Sequence, residues 1–144
     1  MGLLRVMEAV RAELGEAPIG DLYTAYGQHI HNKQDRAVSA DTLLAEVGLP
    51  VTFAAAYDDA SWDAVIQTAM DEGLALTGND TGTPIIAFDA ADGTRVGFFG
   101  PVISRRLPLA QALQMWDGFV AVATVPGFWE LKRTRTESPD FTEP

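Results

Sequence analysis

The chain of 144 residues carries ten Lys and Arg against twenty Asp and Glu, a formal net charge of -10, with 47% apolar residues and no cysteine. That length gives room for one domain with a sizeable core and not for two comfortable ones. The missing cysteines exclude a disulfide scaffold, a thiolate metal site and any thiol mechanism carried within these residues. No Lys or Arg occurs from position 37 to 94, so nucleic acid and anionic membrane are repelled by the middle of the chain and neither is expected as a partner.

No apolar run approaches the roughly 20 residues that span a bilayer. The first fourteen residues are broken by Arg5, Glu8, Arg11 and Glu13, which reads as no signal peptide and favours a cytoplasmic address. Leu3, Leu4, Met7, Val10 and Leu14 recur at spacings of three and four, predicting a helix that stops at Gly15 with Pro18 beyond it. A second helix is expected over 19–31, with Leu22, Tyr23, Tyr26 and Ile30 turned inward. Ser39 or Asp41 caps a short third one through Leu43, Leu44 and Val47, stopped by Gly48 and Pro50. Asp58 and Asp59 open a fourth, in which Trp62, Val65, Ile66, Ala69 and Met70 share a face.

After Gly78 the period becomes extended. Residues 85–88 and 95–99 flank Asp89-Ala90-Ala91-Asp92-Gly93-Thr94, a glycine-containing connection of hairpin length, and Pro101 ends the second strand. From Pro108 the sequence is helical again, with Leu109, Ala112, Leu113, Trp116, Phe119, Val120 and Ala123 on one broad apolar face. Pro126 and Gly127 break it before a final short helix through Trp129 and Leu131, and the tail over 138–144 is expected to be loose.

Among the chemistry-bearing groups, His29 and His31 resemble a metal pair, but a spacing of two sets them about 200° apart on a helix, so they cannot share an ion and no metal site is expected. His29 is read as a helix-surface residue and His31 as facing a cleft. Trp116, Phe119 and Trp129 are read as core, and Lys132, Arg133 and Arg135 as cations favouring a helix C-terminus. Asp80-Thr81-Gly82 matches the aspartic-protease signature but follows a helix in a mostly helical chain, whereas that mechanism needs an apolar strand in an all-β lobe. The sharpest local feature is Gly82-Thr83-Pro84-Ile85-Ile86, where a proline enters a β-branched run and the Thr83–Pro84 bond is a candidate for the cis form.

In order along the chain, Leu22-Tyr23-Thr24-Ala25, Ile30-His31-Asn32, Ala45-Glu46-Val47-Gly48-Leu49-Pro50, Val96-Gly97-Phe98-Phe99-Gly100-Pro101-Val102 and Glu130-Leu131-Lys132-Arg133-Thr134-Arg135-Thr136 resemble the mycothiol-dependent nitroreductase family, a DsbA-like branch of the thioredoxin superfamily. The resemblance implies an α/β, thioredoxin-like (DsbA-like) fold lacking its N-terminal β-α-β unit. It divides the chain into a helical insertion region over 1–78, a C-terminal β-β-α half over 79–137 and the tail over 138–144. It also implies that Gly82, Thr83, Pro84, Tyr23, His31 and Asn32 contact a thiol substrate, with mycothiol or a similar low-molecular-weight thiol as the family's cofactor.

The family's Cys-Pro-Trp-Cys segment is not among these residues, so no catalytic residue is assigned here, and the chain alone is expected to be redox-inactive and to bind no cofactor by itself. Two function classes follow. One is the C-terminal part of a thiol-disulfide oxidoreductase whose cysteines come from elsewhere; the other is a degenerate, cysteine-free interaction protein. Either predicts a homodimer or a complementing thioredoxin-fold half as partner, because a two-stranded hairpin is marginal alone and the face bearing Leu113, Trp116 and Val120 would be bare.

Overall fold

The computed structural model describes residues 1–90 and 92–140. Ala91 of the expected hairpin connection and residues 141–144 of the expected loose tail lie outside the described residues. Where length suggested one domain, the chain divides into two compact units, Met1–Met70 and Asp71–Pro144. Among the described residues no helix is long and apolar enough to cross a membrane.

The first unit is helical. Helix α1 (Gly2–Leu14) ends where Gly15 adopts φ 78, a left-handed conformation that glycine takes without a Cβ penalty, and the Gly15 N–H donates to the Arg11 carbonyl at 2.9 Å. Its buried face is Val6, Met7, Ala9 and Val10, while Leu4 and Leu14, expected on the inner stripe, lie at its edges and are exposed. Helix α2 (Ile19–Gly27) runs directly into a π-helical turn (Gln28–Asn32). Helix α3 (Ala40–Glu46) is capped by Ser39, whose hydroxyl accepts from the Thr42 N–H at 3.2 Å. Two 3₁₀ segments not foreseen from the sequence, Val51–Asp58 and Ala60–Trp62, lead into helix α4 (Asp63–Thr77).

The core joins α1, α2, α3 and Ala56 of the first 3₁₀ segment, with Val10, Leu43 and Leu44 completely enclosed. Arg5 of α1 ties this layer to the start of α4, its Nε and Nη2 donating to the two carboxylate oxygens of Asp63 at 2.7 and 2.8 Å. Two expected inner faces are corrected. Tyr23 is 64% exposed, because Leu22, Ala25 and His29 are the positions of α2 and its π turn that meet the core. Val65, Ala69 and Met70 face outward as well; α1 to α3 and the 3₁₀ residues already fill the interior, and Ile66 is the buried residue of α4.

The second unit is built on a hairpin. Strands β1 (Ile85–Asp89) and β2 (Arg95–Phe99) are antiparallel with Ile85 opposite Phe99 and Asp89 opposite Arg95. One face carries Phe88 and Phe98 against helix α5 (Leu109–Ala123), where Phe119 meets Phe88 edge-on at 5.3 Å and Phe98 at 6.2 Å between ring centroids. On the other face, β2 approaches the C-terminal part of α4 so closely that a Cβ at Gly97 would stand 2.5 Å from the Leu76 Cβ. The final short helix is not formed: after Pro126 and Gly127 (φ 80) the chain has no regular secondary structure and Trp129, expected in the core, is 86% exposed. Most residues of 130–136 favour a helix individually, but a segment this short and this exposed has no tertiary contact to hold one, so Lys132, Arg133 and Arg135 end no helix.

Two glycines make opposite predictions. Gly97→Ala overpacks β2 against Leu76 and costs about 1–3 kcal/mol. Gly118→Ala, within α5 and with nothing within 4 Å of its Cβ position, gains roughly 0.5–1 kcal/mol from helix preference. Urea unfolding of the two variants should therefore move the midpoint in opposite directions; equal midpoints would show that the contact between β2 and α4 is not made.

Candidate thiol-docking site

Gly82, Thr83 and Pro84 form the exposed entry to β1. The chain reaches them through Gly78 (φ 92), and the loop is held by Thr81, whose hydroxyl donates to the Gly78 carbonyl at 2.9 Å and lies 2.8 Å from the Thr77 hydroxyl. The Gly100 N–H donates to the Pro84 carbonyl at 2.8 Å, extending the hairpin ladder by one step beyond Ile85. The Thr83–Pro84 and Gly100–Pro101 peptides are both cis; the sequence singles out the first and not the second.

Tyr23, His31 and Asn32 belong to the helical unit, and all three side chains are on its surface. Their elements present them in two places along the chain, Tyr23 midway along α2 and His31 with Asn32 on the π-helical turn that follows. None of the six residues lines either of two grooves found among the described residues. The helical unit has a groove of about 450 Å³ bordered by Ala9, Glu13, Phe53, Asp59 and Trp62. The hairpin unit has one of about 270 Å³ bordered by Ile103, Leu107, Ala112 and Met115, with Arg105 beside it. Arg105 is ion-paired to Glu137.

The histidine assignment is reversed at His29. Expected on the helix surface, it is the buried polar residue of the helical core, 7% exposed. Its Nδ1 lies 3.2 Å from Asp35 Oδ2, and its Nε2 lies 2.9 Å from both Glu46 Oε2 and Lys33 Nζ. The carboxylates meet opposite edges of the ring and cannot converge on one ion. No periodicity signals this cluster, because its members come from the turn, the loop after it and α3. Hydrogen bonding to His29, then the charge of Lys33, holds the Glu46 carboxyl below its ordinary range.

Two more carboxylates of the helical unit are shifted the same way. Asp59 is lowered by the Ser61 backbone N–H, and Asp63 by the Arg5 guanidinium. A carboxylate whose folded pKa lies below its unfolded value adds stability that is fully present above the unfolded value and is lost as pH falls through the folded one. The helical unit should thus melt at progressively lower temperature from about pH 5 downward. Asp63→Asn should flatten that slope, and a melting temperature that is flat or rises toward pH 3 would contradict these pairings.

Compared with the models of known families, residues 1–133 match the one described as Rv2466c-like, mycothiol-dependent nitroreductase Rv2466c.

Proposed function

This chain belongs to the mycothiol-dependent nitroreductase family, and on that premise we propose that it supplies the docking surfaces of a thiol-dependent oxidoreductase, of DsbA-like type, whose reactive cysteines come from outside these 144 residues. The observation that carries the reading is the combination of this family with a sequence that has no cysteine. A thiol gives up its electrons by forming a sulfur–sulfur bond, and the attacking species is a thiolate. Serine and threonine hydroxyls cannot replace it. What the chain offers instead is an exposed Gly82-Thr83-Pro84 segment at a strand entry, where the Thr83 backbone can pair with an extended thiol substrate. Tyr23, His31 and Asn32 add a phenol, an imidazole and an amide for its polar groups. Mycothiol, when bound, supplies the reducing thiol.

The hairpin unit supports a complementing partner. Its sheet has two strands, each with an edge that pairs with nothing in the sheet, while helices cover both faces. Among its described residues only Gly100 and Ala123 are buried. Leu109 on α5 is 74% exposed, with Leu113 and Trp116 exposed beside it, an arrangement that strands added at the sheet edge would cover. The reading is tested by titrating isotope-labelled chain with the disulfide of mycothiol and following its amide signals. Changes centred on 82–84 are expected; changes at the two grooves with none at 82–84 would overturn it.

A further inference from the structure

The π-helical turn that presents His31 and Asn32 contains one buried titratable group, His29, and leads into a strained backbone position. Inserting a π turn shifts the ladder, so that Lys33 N–H donates to the Gln28 carbonyl at 3.0 Å and Asp35 N–H to the His29 carbonyl at 2.8 Å. Between them Gln34 takes φ 58, the one non-glycine positive φ among the described residues. Asp35 then caps the exit of the loop, its Oδ1 accepting from the Ala37 N–H at 3.1 Å. All of this closes around the His29 ring.

At His29 Nε2 the geometry holds two partners that one protonation state cannot satisfy. Glu46 Oε2 at 2.9 Å needs a proton on Nε2, whereas the Lys33 ammonium at 2.9 Å donates to an Nε2 lone pair. Nδ1 at 3.2 Å from Asp35 Oδ2 is served by an N–H in both states. A neutral ring therefore donates from Nδ1 to Asp35 and accepts from Lys33. A charged ring donates to both carboxylates and repels Lys33, which keeps Glu46 Oε1, 3.7 Å away, as its counter-ion. Lys33, Asp35 and Glu46 are the charged groups that face this ring, from the end of the turn, the loop after it and α3.

We infer that His29 is a positioning residue: gain or loss of one proton at Nε2 exchanges Lys33 for Glu46 as its partner and so shifts the turn that carries His31 and Asn32. Lys33 directly follows Asn32 in the chain and its N–H closes the π turn on the Gln28 carbonyl, so the exchange acts on a residue whose backbone adjoins the proposed substrate contacts. The role of the turn in docking a thiol rests on the proposed function; the proton-driven shift does not.

The test uses the full chain with His31→Gln, in which His29 is the one remaining imidazole. As pH is varied, the amides of Gln28, Asn32 and Lys33 are expected to move in step with the His29 ring carbons. In the added Glu46→Gln variant, which retains an amide oxygen but no charge, most of that amide response should be lost while the ring still titrates. Lys33→Met should likewise suppress it. A ring that titrates with those amides unmoved, or an amide response unchanged in both variants, would overturn the inference. Because no thiol is added, failure here is distinct from failure of the docking proposal.

Discussion

Purified by itself, the chain should reduce no nitro compound and no disulfide with mycothiol or any other low-molecular-weight thiol, at rates indistinguishable from a buffer blank. The effect is all-or-none because the chemistry needs a sulfur that can be both nucleophile and leaving group. The sulfur present here is in the thioethers of four methionines, which oxidise to sulfoxides and do not form disulfides. Adding a polypeptide with a strand, a Cys-Pro-Trp-Cys helix and a second strand should raise turnover above that of the polypeptide alone, and Pro84→Ala should lower the gain. Turnover above the blank by the unmixed chain, in protein of verified mass, would refute the proposed division of labour.

The second large effect lies in the helical core. Leu43→Ala or Leu44→Ala should each destabilise the helical unit by about 2–5 kcal/mol, the range for a leucine removed from a site that cannot collapse around the void. Both side chains are fully enclosed on a seven-residue helix that is too short to persist without tertiary contacts. Leu113→Ala, on the exposed face of α5, should change stability by no more than about 0.5 kcal/mol in the unpartnered chain. Urea denaturation followed by far-ultraviolet circular dichroism separates the cases. A similar cost at Leu43 and Leu113 would mean that the Leu113 face of α5 is packed against a surface the chain already provides.

What the sequence revealed depended on how local the determining physics was. The hairpin was legible because β-branched and aromatic runs flank a glycine-containing connection, and the ends of α1 and α3 because Gly15 and Ser39 act through their own backbone neighbours. The family was legible from ordered short motifs, none of them decisive singly. Tyr23 and Val65 were misplaced because an apolar stripe is wider than the face a small core can absorb. His29 was misplaced for a different reason: a π turn breaks the 3.6-residue period, and the groups that bury the ring lie 4, 6 and 17 positions away. Trp129 shows the limit of composition, since an aromatic side chain signals a need for cover without saying which surface provides it.

The uneven distribution of buried residues also bears on the order in which the molecule can take shape during synthesis. Every member of the main core cluster, from Val6 to Ala56, lies within the first seventy residues, so that core can close once the 3₁₀ segment Val51–Asp58, the main packing partner of α1, has been made. At the roughly 5 to 20 residues per second of translation, those helices can be packed several seconds before the last strand-unit residues are made. The hairpin unit then emerges tethered to a finished body, with its sheet edges open at the moment when a complementary strand would meet them.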